Sequence, residues 1–174
     1  MFQPDDVVRP VGEDLHVLAA SLLDDVAAVV NDLPPPALDW VPPHLRNNPF
    51  TLVYHLLGSA QYWIGEVVGG TPTDRVRAAE FDRRGTHEEL AERLQETRRR
   101  LQQTLSGLTA QDLLPHPVDL RRGVLSWGDV PPEGRTSIWV IAHDLCHVAY
   151  HLGQLNLLRQ IWTGEQKESA DSPV

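Results

Sequence analysis

The chain has 174 residues, of which 41% are hydrophobic, and this is enough for one domain with a substantial core. Its 15 basic and 24 acidic residues give a net charge of −9, which argues against binding to nucleic acid or to an anionic membrane surface. The single cysteine, Cys146, excludes an internal disulfide framework. No apolar stretch approaches the ~20 residues of a membrane span and no signal sequence opens the chain, so we expect a cytoplasmic protein.

The hydrophobic pattern predicts four long helices and no strand. The first runs from about Gly12 to Leu33, with apolar residues at spacings of three and four: Leu15, Leu18, Leu22, Val26, Val29 and Leu33. Three prolines, residues 34–36, end it. The Pro-rich segment up to Asn48 predicts a loop, in which Trp40 is the expected anchor.

The second and third helices have clear start signals. Asn48 followed by Pro49 is typical of a helix N-cap, and this helix is expected to continue to Gly69-Gly70. The third helix begins after Thr86, where Thr86 and Glu89 form a capping-box pattern. Its predicted buried stripe is Leu90, Leu94, Thr97, Leu101, Leu105 and Leu108.

The fourth helix is predicted from about Thr136 to Thr163, ending before Gly164. The connection from Gln111 to Arg135 carries four prolines, and connections this long are often functional. Residues 165–174 are polar and are expected to form a disordered tail. The sequence therefore predicts an all-α protein, a four-helix bundle in a single domain of residues 1–164.

Three of the eight histidines lie on the fourth helix at intervals of four: His143, His147 and His151. Imidazole is the commonest ligand for transition metals, and this spacing places neighbouring members of the series on one side of the helix. His143 and His151 are separated by ~12 Å of rise and ~80° of rotation, so one ion can take His147 with only one of them. A further ligand must come from another element, and His55 of the second helix is the best candidate.

The other candidates are weaker. His87 follows a capping residue and is expected to be solvated, and three more histidines stand in loops or outside a matching motif: His16, His44 and His116. His16 belongs to a Glu-x-x-His pattern, but a di-iron bundle needs a second copy, which is missing. Cys146 points away from His147 and is expected to be a small core residue. Asp144 could orient a ligand histidine or be an exposed helix charge.

A second apolar stripe on the fourth helix comprises Ile141, Leu145, Val148 and Leu152. A helix that is apolar on two sides is buried on two sides. We expect either a dimer interface or the 111–135 connection to cover this stripe.

Two motifs together resemble a known family. The segment from His55 to Trp63, followed by Gly69-Gly70, is similar to the second-helix motif of the DinB/YfiT-like superfamily. The segment from His147 to Gln154 is similar to its last-helix motif, H-x-x-x-H-x-G-Q, and the resemblance covers residues 10–164. It implies a four-helix bundle with a divalent metal held by His55, His147 and His151. His143 is then an additional histidine, which could lie behind the ligands, act as a proton shuttle or be a hydrogen-bonded core residue. Asp144 is the other candidate for a position behind the ligands.

The resemblance also implies a homodimer and an activity on small thiols, because members with assigned activities transfer or isomerise adducts of low-molecular-weight thiols. Three neutral imidazoles leave a divalent ion its full charge, which lowers the pKa of bound water or thiol. We therefore expect a metal-dependent transferase acting on a thiol and an electrophile, with zinc or nickel favoured and manganese or iron as alternatives. A hydrolase with the same ligands, and a non-catalytic bundle that binds a ligand or partner, are the other hypotheses.

Two common hydrolase motifs are absent from the sequence. The zincin pattern H-E-x-x-H is not matched because Val148 follows His147, and there is no Gly-x-Ser-x-Gly elbow. A metalloprotease is therefore not expected.

Overall fold

A computed structural model describes residue 3 and residues 5–117 and 134–171. Within these ranges the chain is a four-helix bundle, as predicted, with one isolated bridge between His116 and Arg135 and no strand. None of the helices in this part of the chain is long and apolar enough to cross a membrane. The α-helices are α1 (Asp5–Asp32), the short α2 (Pro35–Leu38), α3 (Pro49–Ala60), α4 (His87–Ser106) and α5 (Ser137–Asp171).

Helix α1 begins at Asp5, earlier than the predicted start at Gly12. Val8 is fully buried and extends the apolar face towards the N-terminus, which offsets the hydrogen bond lost at Pro10. The buried stripe also differs from the prediction, because Leu18 is 50% exposed whereas Ala19 and Leu23 are buried. The predicted stripe and the observed buried stripe both contain Val26. The spacing of apolar residues alone therefore did not determine which side of α1 faces the core.

The Pro-rich segment after α1 contains the four-residue helix α2, where a loop was expected. Ala37 and Leu38 of this turn are buried in the main core. Trp40 does act as an anchor, since its ring meets that of Trp162 edge-on with centroids 5.3 Å apart.

Helix α3 starts at the predicted cap, where the Thr51 amide donates to the Asn48 side chain at 2.6 Å. It continues without a break into a π-helix, Gln61–Val68, in which the Gly69 amide donates five residues back to the Ile64 carbonyl at 3.0 Å. Helices of this kind occur most often as short insertions near functional sites. Almost every residue of α3 is buried, and this holds its side chains in fixed positions between α4 and α5.

Helix α4 follows a 3₁₀ turn, Arg77–Glu80, and is capped by the Thr86 hydroxyl, which accepts from the Glu89 amide at 3.2 Å. His87 is half-buried rather than solvated. Its Nε2 lies 2.8 Å from the Leu33 carbonyl, near the C-terminal end of α1. This contact satisfies a carbonyl that a helix end leaves without a partner.

Helix α5 extends to Asp171, beyond the predicted end at Thr163. Gly164 is exposed with open space around it, and a single glycine costs a helix only about 1 kcal/mol when good helix formers such as Glu165 and Gln166 follow. The predicted long connection before α5 includes a 3₁₀ turn, Ala110–Leu113, and its residues 118–133 lie outside the described ranges.

The second apolar stripe of α5 needs no partner chain to cover it. Ile141, Leu145, Val148 and Leu152 are buried in the main core of the chain itself. The other side of the helix is covered by the π-helix, where Val140 packs with Tyr62 and Trp63 in a smaller cluster. Among the described residues, α1 and α3 flank α5 on two sides, and the turn Ala110–Leu113 at the start of the 111–135 connection also contacts it. Residues 118–133 lie outside the described ranges, and the dimer stays a prediction.

Candidate metal centre

Helices α3 and α5 bring three of the eight histidines together. His55, His147 and His151 each present a ring nitrogen, and these nitrogens lie within 4.8 Å of one another. The two from α5 are separated by one helical turn, and their Nε2 atoms are 3.1 Å apart. The ring of His55 meets each of the other two with centroids 5.1 Å apart.

His55 is held in place from behind by Glu80. The Glu80 Oε2 atom lies 2.7 Å from Nδ1 of His55, and both side chains are buried. Burial alone would raise the pKa of Glu80, but its hydrogen bonds to His55 and Arg75 outweigh burial and keep the pKa below its ordinary value. The ionised carboxylate therefore accepts the Nδ1 proton and leaves Nε2 of His55 as the free ring nitrogen.

His151 is oriented in the same way by Gln154. Its Nδ1 lies 2.7 Å from Gln154 Oε1, and the amide is fixed because its Nε2 donates to the Tyr150 hydroxyl at 3.1 Å. The Nε2 atom of His151 therefore faces the other two histidines and is free to coordinate a metal. His147 differs from both, because its buried Nδ1 has no hydrogen-bond partner within the described residues.

The environments of His147 and His151 favour the neutral imidazole. Burial, and then the neighbouring His151 and His55, lower the pKa of His147 to about 3. Burial also lowers the pKa of His151. A neutral imidazole is the form that coordinates a metal, so these environments keep the nitrogens ready to bind one.

The spacing of the two nitrogens from α5 fits a shared ion. Two nitrogens bound to one zinc ion at about 2.0–2.1 Å lie about 2.8–3.4 Å apart for angles between a right angle and the tetrahedral angle. The 3.1 Å between His147 Nε2 and His151 Nε2 falls in this range. Within the described ranges no carboxylate or cysteine shares the cluster, so the donor set is three imidazoles. Such a set could hold a divalent transition metal and leave coordination positions open.

Solvent reaches the cluster from the α5 side. His147 and His151 are half-buried, and Tyr150, 58% exposed, packs edge-on against His151 at 5.2 Å. On the other side, Phe81 covers His55 with ring centroids 5.0 Å apart. His55 is therefore buried on the α3 side of the site, whereas His147 and His151 are partly exposed on the α5 side.

The remaining predicted candidates lie elsewhere. His143 is buried against Trp139, with the two rings stacked 5.2 Å apart, and it does not join the three histidines. Asp144 is fully buried and accepts a hydrogen bond from Ser59 at 2.6 Å, whereas no hydrogen bond joins it to a histidine of the cluster. Asp144 is thus neither an exposed helix charge nor a direct partner of a ligand histidine. Cys146 is exposed, not a core residue. The other four histidines, His16, His44, His87 and His116, are outside the cluster.

Sequence reasoning did not identify the two side chains that orient the cluster. Gln154 could have been found, because it lies three residues after His151 and so shares its helix face. Glu80 gave no such signal, since it comes from a four-residue turn 25 positions after His55.

An all-α bundle with three histidines on two facing helices belongs to the class of helical proteins whose ligand or metal site lies between helices. A sequence model of the DinB superfamily matches residues 20–155, and the chain belongs to this family. The matched range contains the three histidines as well as Glu80 and Gln154. No match was found among curated proteins.

Proposed function

We propose that this protein is a divalent-metal-dependent transferase that joins a low-molecular-weight thiol to an electrophile. The observation that carries the proposal is the convergence of three imidazole nitrogens, from His55, His147 and His151. Zinc or nickel are the favoured ions and manganese or iron the alternatives, because nitrogen-only sites discriminate poorly among these metals by affinity.

The protein's own residues would position the ion and keep its charge high. Glu80 and Gln154 fix the rings of His55 and His151, and neither adds a carboxylate to the coordination sphere. A bound divalent ion would supply Lewis acidity that favours the thiolate over the thiol near neutral pH. The half-buried front of the cluster, beside Tyr150, gives both substrates access.

The surroundings favour a thiol over water as the nucleophile. A metal-dependent hydrolase commonly uses a carboxylate near the ion as a general base. The Glu80 carboxylate is already engaged by His55 and Arg75, and Asp144 is bonded to Ser59. A metal lowers the pKa of both nucleophiles, but a free thiol starts from about 8.5 and water from about 15.7, so a bound thiol depends less on such a base. The homodimer and the cytoplasmic location stay predictions.

A turnover assay with a chromogenic aryl halide tests the proposal. The thiol sulfur forms a bond to the aryl carbon, halide leaves with the bonding electron pair, and the thiol proton passes to solvent. We expect metal-loaded protein to accelerate this reaction across a panel of small thiols, His147→Ala to lose the acceleration, and His44→Ala, on an exposed residue, to retain it. Product formed without thiol would instead indicate a hydrolase. No acceleration with any thiol, or equal rates for His147→Ala, would overturn the proposal.

A further inference from the structure

A cavity separate from the histidine cluster lies between α3, α4 and the segment of residues 71–86. Its volume is about 410 Å³, which is within the usual range for small-molecule sites. Glu80 forms part of its wall, so this cavity lies on the other side of Glu80 from His55. Four arginines line it: Arg75, Arg83, Arg93 and Arg100.

Three of these arginines have a carboxylate partner. Glu80 accepts from Arg75 at 2.7 Å, Glu89 pairs with Arg83 at 2.9 Å, and Glu96 pairs with Arg100 at 2.6 Å.

Arg93 has no such partner among the described residues, and its Nε is buried without a hydrogen bond. The remaining acidic residue of the lining, Asp74, is exposed and forms no ion pair with any of the four. A guanidinium group does not lose its proton in proteins, so Arg93 is a positive charge with no carboxylate at ion-pair distance among the described residues, although Glu80 attracts it from farther away.

Tyr54 holds two of the arginines on one ring. The guanidinium carbons of Arg93 and Arg83 lie 3.9 and 4.2 Å from the centre of the Tyr54 ring. Cation–π contact stabilises a guanidinium without neutralising its charge or using its N–H donors. Arg83 repels Arg93 even though Glu89 pairs with it, and an anion bound by both arginines would relieve this repulsion.

We infer that this cavity binds a small molecule through a carboxylate or phosphate group, with Arg93 as the principal contact and Arg83 as the second. The planar guanidinium donates pairs of hydrogen bonds to both kinds of oxyanion. Gly58 leaves room for this arrangement, because a Cβ there would overlap Glu80 and come within 3.1 Å of Arg93 Nη2. The inference goes beyond the proposed function, since the cavity and the histidines lie on opposite sides of Glu80 and binding requires no metal.

The test is calorimetric titration of metal-free protein, after treatment with a chelator and desalting, with inorganic phosphate and separately with succinate. Sodium chloride at matched ionic strength is the reference. We expect at least one of the two anions to bind with an affinity that Arg93→Met weakens by about tenfold or more, because a hydrogen bond to a charged group is worth at least that factor. If phosphate binds more tightly than succinate, the ligand group is a phosphate; if succinate binds more tightly, it is a carboxylate.

Two variants control the result. Arg84→Met removes the same charge at an exposed arginine outside the cavity and should leave the affinity unchanged. Arg93→Lys keeps the charge but loses the paired donors, and should bind more weakly than the wild type if Arg93→Met does not fold. The inference is overturned if neither anion binds above the chloride reference, or if Arg84→Met weakens binding as much as the Arg93 variant does.

Discussion

The Glu80 carboxylate joins two buried side chains at once, with Oε2 2.7 Å from His55 Nδ1 and Oε1 2.7 Å from Arg75 Nε. We expect Glu80→Gln to keep an acceptor for His55 but to lose the negative charge that makes the imidazole a stronger ligand. Removal of such outer partners typically lowers metal affinity about 10- to 100-fold. Competition with a chromogenic chelator measures this change. Glu88→Gln, at an exposed position of α4, should leave the affinity as it is.

His147 and His143 lie one turn apart on α5 but differ in their expected response to metal. Binding of an ion at 100 times its dissociation constant stabilises the folded state by about 2.7 kcal/mol. We expect this gain in the wild type, its loss in His147→Ala and its retention in His143→Leu, since His143 stacks on Trp139 outside the cluster. Thermal unfolding with and without added zinc measures the three cases. A full gain in His147→Ala would show that His147 is not a ligand.

Asp144 makes the stability depend on pH. Burial raises the pKa of its carboxyl to about 7, against which the Ser59 hydrogen bond and then the charge of Arg75 act in the opposite direction. Between about pH 4 and pH 7, the folded state therefore keeps the Asp144 proton, whereas the unfolded chain has already lost it. The stability that the protonated group contributes is full below about pH 4 and is lost as the pH rises to about 7.

Asp144→Asn imitates the protonated form and should remove this loss. We expect the variant to exceed the wild type in free energy of unfolding by roughly a few kcal/mol at pH 8, and by little at pH 4. Urea unfolding of chelator-treated protein at pH 4 and pH 8 measures this difference. The histidines are the same in both proteins, so their contribution to the pH dependence cancels in the comparison. A constant difference across this range would contradict the assignment to Asp144.

Gly12 allows α1 to pack tightly against α4. A Cβ at this position would overlap the Leu105 carbonyl oxygen, which belongs to the backbone and cannot move aside cheaply. We expect Gly12→Ala to lower the free energy of unfolding by about 1–3 kcal/mol. Gly164→Ala, where nothing lies within 4 Å, should raise it by up to about 1 kcal/mol. Chemical denaturation measures the change in free energy of unfolding for each variant. The same change in both variants would argue against close packing at Gly12.

The features that sequence could predict are those set by local chemistry. Asn48 and Thr86 fix helix starts by accepting hydrogen bonds from the amides three residues further on, and both caps are present. The side shared by His147 and His151 follows from helical geometry, and their nitrogens do meet. The DinB-like family was likewise recognisable from the motifs around His55 and His151.

The features that sequence could not predict depend on distant packing. Glu80 reaches His55 through an irregular segment whose path no periodicity describes. The buried side of α1 was ambiguous because Leu18 and Ala19 both fit an apolar stripe, and only the neighbouring helices decide between them. The burial of Asp144 required knowledge that Ser59 faces it from α3.

The Ser59–Asp144 hydrogen bond joins the two helices that carry the three histidines of the cluster. Two of the three nitrogens sit on α5, so their separation is set by the pitch of one helix, and only their distance to His55 varies with the packing of α3. Ser59 lies one turn beyond His55, and its hydrogen bond to Asp144 ties the same two helices together at 2.6 Å. This buried pair touches no ligand, yet it helps to set the distance between His55 and the two histidines of α5.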